Sequence, residues 1–289
     1  MPLGFSAREQ PTSHRLPREN TLAPVETVAR RDKRPAVDTH PLRCAAPVLD
    51  EERGGAGRRL AAIVGHGLPL PTFLTGVALS FVSIATVSIL LGLLVTRVVL
   101  RHGGIDGTDE SLVRFLAHHR SGGLTDASLV GSILAGGVVL PIVVGVCGAL
   151  AALFKQWRLG AFLIFALAVE SGAYRATTLL VHRQRPHVHR LEDLSASASY
   201  PSGHTAASIA VYCGLALLLT SRISRLAPRV LIWTVAAAIP VYVAFARMYR
   251  GMHHPLDIAG GVVIGIAVLA AMVLVSRATG VAAAERDGS

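Results

Sequence analysis

Six stretches of the chain are apolar for long enough to cross a lipid bilayer, and they constrain the fold more than any other feature. They run over about residues 72–99, 128–153, 159–181, 204–220, 229–246 and 256–275. A helix rising about 1.5 Å per residue needs about 20 such residues to span the hydrocarbon layer. Inside lipid the backbone has to satisfy its own polar groups, and for runs of this length the helix is the form that does so. The expected fold is therefore all-α, a polytopic bundle of six transmembrane helices. Composition agrees, since 52% of residues are hydrophobic and only 16% are charged, more apolar than a soluble domain usually is.

Residues 1–60 are rich in Arg, Pro, Glu and Thr without apolar periodicity. Such a stretch cannot bury enough surface to offset chain entropy, so it is expected to be a disordered tail. The membrane domain is expected over 61–280, with a C-terminal tail at 281–289. The first long apolar run begins only near Pro71, too late for a cleaved signal peptide. The net charge of +10 is scattered over the tail and the joints between spans; no basic stripe with interleaved aromatics appears, which argues against a nucleic-acid partner. Cys147 and Cys213 lie in apolar runs and Cys44 in the tail, a spacing that fits neither a zinc site nor a disulfide framework.

Basic residues in short joints set the expected orientation. Arg58 and Arg59, Lys155 and Arg158, and Arg222, Arg225 and Arg229 fall on one side, which is read as cytoplasmic and carries the N-terminus. The segment 101–127 and the loops 182–203 and 247–255 then fall outside, although both loops carry several basic residues that the charge rule does not explain. Within the first of these segments, "DESLVRFLAHHR" puts Leu112, Phe115 and Leu116 on one helical face. That pattern predicts a short helix lying on the membrane surface, placed to cover a site.

Three stretches meet on the outer side: "TTLLVHRQRPH", "YPSGHTAAS" and "ARMYRGMHHPLDIAGG". Together they supply the cations Arg183, Arg185, Arg247 and Arg250, the imidazoles His204 and His253, and the acid Asp257. Arg185 precedes Pro186, which ends a helix and fixes a planar guanidinium suited to phosphate oxygens; alone, it fits a helix C-cap or lipid-headgroup anchor better. Ser202 and Gly203 at a helix entrance offer a hydroxyl and free N–H groups to an anion, with His204 beside them. Taken alone, that stretch fits an ordinary Ser cap equally well. His253 and Asp257 are four residues apart, so the carboxylate can accept one imidazole N–H and leave the other nitrogen nucleophilic, or can cap the helix opened by Pro255. His254 is expected only to face lipid headgroups.

The combination of Arg185-Pro186, Pro201-Ser202-Gly203-His204 and Arg247-x5-His253-x3-Asp257 resembles the type 2 phosphatidic acid phosphatase (PAP2) superfamily of integral membrane lipid phosphatases. The resemblance implies a six-helix bundle that removes phosphate from a lipid without a metal or other cofactor. It also implies that His253 is the nucleophile that forms a phosphohistidine, that Asp257 orients it, and that His204 protonates the leaving oxygen. Arg185, Ser202, Gly203 and Arg247 are then the phosphate-binding groups. The implied partners are the bilayer and a lipid phosphate: undecaprenyl diphosphate or another polyprenyl phosphate, phosphatidylglycerophosphate, or phosphatidic acid.

The chain departs from the family pattern at Thr178, where a lysine usually stands, and Arg175, His182 or Arg183 is a possible replacement cation. Glu170 and Arg175 fall within the third span, where an unpaired charge costs about 3 kcal/mol; a polar contact between helices, with Tyr174 as neighbour, is expected for Glu170. Gly131, Gly136, Gly260 and Gly261 are expected to permit close helix approach. Two other readings use the same residues: a lipid phosphotransferase that passes the phosphate to an alcohol, and a lipid-binding or transport protein without turnover.

Overall fold

A computed structural model describes residues 46–50, 55–64, 67–102, 104–193 and 198–287, all of which lie within one unit, Leu42–Ser289. After a short helix, α1 (Ala56–Val64), comes the long apolar helix α2 (Pro69–His102), whose first residue is a proline with its φ already set for a helix. The amphipathic helix α3 spans Asp106–His118. Ser121 caps α4 (Gly122–Leu134) by accepting the Leu124 N–H at 3.4 Å, and α5 (Val139–Leu153) follows at a bend of 44°. α6 (Trp157–Leu180) ends where Val181 turns extended before the Arg-Pro stretch. α7 runs over Gly203–Thr220, α8 over Leu226–Tyr249 and α9 over Pro255–Asp287.

Five of these helices, α2, α6, α7, α8 and α9, are each long and apolar enough to cross a membrane, and α4 with α5 makes a sixth span if the bent pair counts as one. No strand occurs among the described residues. The core is built by facing side chains of α6, α7, α8 and α9, including Phe162, Ala166, Ala206, Val211, Val243, Ile264 and Met272. Leu90, Ile142, Leu231 and Val241 point outward and are exposed, as expected of side chains that meet lipid and not water. Small residues permit the closest approaches: a Cβ on Gly131 of α4 would stand 2.7 Å from the Ala246 methyl of α8. Gly136 differs from expectation, because a Cβ there would meet only the carbonyls of its own preceding turn.

The ends of the membrane domain also differ from expectation. Within the stretch read as a tail, 1–60, residues Pro47–Leu49 form a turn with Leu49 buried, and α1 begins at Ala56. Arg158 secures the turn, donating to Asp50 Oδ1 at 3.0 Å, Leu49 O at 2.6 Å and Ser276 O at 3.0 Å, while Arg277 Nε donates to Val48 O at 2.9 Å. Two arginines thus satisfy carbonyls that a short polar stretch would otherwise leave to water, and local periodicity carries no sign of that. The rest of the expected tail, Cys44 included, lies outside the described residues. At the other terminus α9 continues to Asp287, through most of the expected 281–289 tail, with Val281 packed beside Ala61 of α1. Cys147 and Cys213 are free.

Candidate active site

Backbone hydrogen bonds tie the three motif stretches together at one end of the bundle. Ser199 N donates to Arg183 O at 2.8 Å, Ser202 N to Asp257 O at 2.9 Å, and Leu191 N to Arg250 O at 3.1 Å. α9 lies directly on the second stretch: a Cβ on Gly261 would stand 2.5 Å from Ser202 O, so only glycine fits there.

His253 is buried, and its Nδ1 donates to the Ser199 carbonyl at 2.7 Å. The expected direct acceptor was Asp257, but its Oδ2 stands 3.7 Å from Nδ1, beyond hydrogen-bond distance. Asp257 stands beside the ring and bonds to the groups around it. It accepts the Ser199 hydroxyl, the His254 N–H at 2.8 Å and Arg183 Nη1 at 2.5 Å, which fixes the segment that carries the Ser199 carbonyl. A carbonyl can only accept, so the hydrogen sits on Nδ1 and the lone pair on Nε2. Burial pushes the His253 imidazole down to about 4, so it is neutral around pH 7.

Arg247 is fully buried next to this histidine's helix entrance. Its Nη1 donates to Glu192 Oε2 at 2.6 Å and to Ser132 Oγ, while Nε and Nη2 have no hydrogen-bond partner among the described residues. Arg185, also buried, donates from Nη1 to Met252 O at 2.6 Å. Arg250 binds Glu192 Oε1, Ser128 Oγ at 3.1 Å and Leu191 O at 3.0 Å. Burial alone would raise Glu192, but the charge of Arg247 and the hydrogen bonds around the carboxylate outweigh it and hold the group down at about 2. His204 is partly exposed and lies within electrostatic reach of Arg247, His253, Glu192 and Arg185. Ser202 is buried, and its hydroxyl pairs with Thr205 Oγ1 at 3.0 Å and makes no cap bond. Beside it, a Cβ on Gly203 would stand 2.9 Å from the Tyr174 ring.

The fold thus brings Arg185, Ser202, Gly203, His204, Arg247, His253 and Asp257 to one place. Thr178 stands on the last turn of α6 with its hydroxyl turned back to Arg175 O at 2.9 Å. Of the possible replacement cations, Arg175 and His182 are exposed, and Arg183 is buried between the Asp109 and Asp257 carboxylates. Glu170 is buried in α6 with Ser171 Oγ donating to its Oε2 at 3.2 Å, a bond to its sequence neighbour in place of the expected contact between helices.

His254 does not face headgroups. It is buried, with Nε2 at 2.9 Å from Glu110 Oε2 and Nδ1 at 3.3 Å from Asp257 Oδ2. Burial would raise Glu110, but its hydrogen bonds from His254 and the His187 N–H hold it below the ordinary carboxylate range. The basic loops that strained the charge rule are thereby accounted for: Arg183, Arg247 and Arg250 are buried in ion pairs with Asp109, Asp257 and Glu192. Sequence reasoning missed Ser199, Glu192, Asp109, Glu110 and Ser132 as members of the site. The one available signal was an adjacent acidic pair on the surface helix predicted to cover a cluster of arginines.

A helical membrane bundle with a buried, neutral histidine and a fully buried arginine at one end defines a class, and comparison with known sequences names it. The PAP2 superfamily model matches residues 159–280, the part of the chain that carries all three motifs. The chain is similar to phosphatidylglycerophosphatase B of Bacillus subtilis (strain 168), 24% identical over 182 residues that cover 62% of this chain and 89% of that protein. In fold it is similar to the crystal structure of a transmembrane PAP2 type phosphatidylglycerolphosphate phosphatase from Bacillus subtilis. The TM-score is 0.55 at 21% identity, over 71% of this chain and 93% of that one.

Proposed function

We propose that the protein hydrolyses a lipid phosphate through a phosphohistidine on His253. The observation that carries this reading is the pairing of a neutral His253, its hydrogen held at Nδ1, with the two unpartnered donors of buried Arg247. Nε2 of His253 attacks phosphorus, the bond from phosphorus to the lipid oxygen breaks, and His204 gives that oxygen its proton. In the second half, His204 takes a proton from water, the water oxygen attacks phosphorus, and the phosphorus–nitrogen bond breaks with its electron pair returning to Nε2. Arg185, Arg247, Ser202 and the N–H groups at the start of α7 hold the phosphoryl oxygens. In such a transfer, charge spreads over three oxygens and fixed donors supply most of the stabilisation. Asp257 supports the imidazole ring when it gains positive charge on phosphorylation. Thr178 has a lesser place in this scheme, as a neutral residue where a cation usually stands.

The substrate is a phosphomonoester or diphosphate of a membrane lipid, its tail remaining in the bilayer. Phosphatidylglycerophosphate heads the panel because of the name of the Bacillus relative; phosphatidic acid and polyprenyl diphosphates such as undecaprenyl diphosphate follow. The site faces the periplasmic or extracellular side and the N-terminus the cytoplasm. The joints with Lys155 and Arg158, and with Arg222, Arg225 and Arg229, support that orientation, since both lie at the far ends of helices whose other ends form the site.

The test is phosphate release by purified protein from that panel with a metal chelator present, beside His253→Ala. Release that survives the chelator and is lost in the variant is expected. Equal release by both proteins would overturn the mechanism, and phosphate recovered only on an added acceptor alcohol would replace hydrolysis by transfer.

A further inference from the structure

α3 contributes no motif residue, lies outside the matched segment 159–280, and yet grips the support of the nucleophile at two adjacent positions. Asp109 is 3% exposed and Glu110 7%. Asp109 Oδ2 pairs with Arg183 Nη2, and Arg183 Nη1 in turn pairs with Asp257 Oδ1 at 2.5 Å. Asp109 Oδ1 also accepts the Leu256 N–H at 3.0 Å, in the first turn of α9. Glu110 Oε2 pairs with His254 Nε2 at 2.9 Å, and His254 Nδ1 faces Asp257 Oδ2 at 3.3 Å. Two chains of alternating charge therefore run from α3 to the same carboxylate, one ending on each of its oxygens.

Charge bookkeeping gives these chains a role beyond holding a loop. Both His254 nitrogens face carboxylate oxygens, Nε2 that of Glu110 and Nδ1 that of Asp257. The Arg183 guanidinium against Asp257 offsets the negative charge that supports the His253 ring when Nε2 is phosphorylated. The carboxylates of Asp109 and Glu110 add negative charge to the cluster, Asp109 against Arg183 and Glu110 against His254, with Arg114 also reaching Glu110 at 3.5 Å from the exposed side. The pairs are buried, so screening by salt is weak there.

We infer that Asp109 and Glu110 are positioning residues for phosphoryl transfer, acting through Arg183 and His254 on Asp257 and, through Ser199, on the His253 ring. The inference rests on the phosphohistidine reading. It predicts a loss in the chemical step and not in phosphate binding, because neither residue is bonded to Arg185, Arg247 or His204.

The experiment compares wild type, Glu110→Gln, Asp109→Asn, Glu110→Asp and His253→Ala in phosphate release from phosphatidylglycerophosphate, in detergent-solubilised full-length protein. It measures kcat, KM and competitive inhibition by inorganic phosphate. Glu110→Gln and Asp109→Asn are each expected to lower kcat by about 10- to 100-fold, with KM and the phosphate inhibition constant within about twofold of wild type. Glu110→Asp, which keeps the charge, is expected to recover part of kcat. An unchanged kcat in both amide variants overturns the inference and leaves the phosphatase reading standing. So does a fall in kcat together with a higher KM, a weaker phosphate affinity and a lowered melting temperature, the mark of a purely structural role. Equal release by wild type and His253→Ala overturns the phosphatase reading, and the inference with it.

Discussion

Replacing Arg247 by lysine isolates what its unpartnered donors do. Nη1 already serves Glu192 Oε2 at 2.6 Å and Ser132 Oγ, and a lysine ammonium can take over those contacts, so the buried Glu192 keeps a cation beside it. What lysine cannot supply is the second face of the guanidinium, the Nε and Nη2 donors that have no partner among the described residues. If both bind the phosphoryl group as it transfers, two hydrogen bonds to a charged group are lost. At about 1.5–3 kcal/mol each, the loss is about 3–6 kcal/mol, or about 10²- to 10⁴-fold in kcat/KM. The assay is phosphate release from lipid phosphate in mixed micelles over a range of substrate below KM, with a thermal melt alongside. The melt is expected to move by only a few degrees, because Arg250 still binds Glu192 and the volume is nearly kept. A kcat/KM for Arg247→Lys within about threefold of wild type would refute the assignment of those two donors to phosphate.

The buried His253 imidazole, pushed down to about 4, has a lone pair to offer at any pH above that value. The acid-side loss of kcat/KM, where His253 takes up a proton, is therefore expected only as pH drops through about 4; an acid-side loss centred near the ordinary histidine value of about 6.5 would contradict the burial argument. Folding follows the same sign, because between about 4 and 6.5 the unfolded chain takes up a proton that the folded one refuses, so stability is expected to rise with pH across that window. For His204→Asn, loss of the proton donor is expected to cost about 10²- to 10⁴-fold with a lipid alkoxide as leaving group. The cost should be far less with an aryl phosphate, whose leaving oxygen needs no proton; equal losses on the two substrates would remove His204 from that role.

The features legible in the sequence were those written in local pattern. Apolar runs located the spans, and Pro255 marks a helix start because proline suits a first turn. The Arg-Pro, Pro-Ser-Gly-His and His-x3-Asp stretches announced their own chemistry. Less legible was anything that depends on partners far along the chain. Glu110 reaches His254 across 144 residues and Asp109 reaches Arg183 across 74, and no periodicity reports such a pairing. For the same reason His254 was read as a headgroup contact, Arg183 as a spare cation, and Asp257 as the direct partner of His253. In the last case the spacing was right and the hydrogen bond was not: Nδ1 is bonded to a backbone carbonyl, which no side-chain pattern displays, with the carboxylate 3.7 Å away. The anchored turn at Pro47–Leu49 escaped notice because its order comes from Arg158 and Arg277 on distant helices.

The outward reach of these ion pairs bears on how far the catalytic end of the bundle can be divided. A chain cut back to residues 159–280 would retain every motif residue and yet strip Arg183 of Asp109, His254 of Glu110, Arg247 of Ser132 and Arg250 of Ser128. Breaking one partner from a buried charge pair costs about 3–5 kcal/mol, and a whole domain is stable by only about 5–15 kcal/mol. Modularity therefore stops short of the motif boundary. The first two spans and the surface helix between them are not an exchangeable amino-terminal add-on, and a chimaera that swaps them has to bring matching acids and hydroxyls to the same four positions.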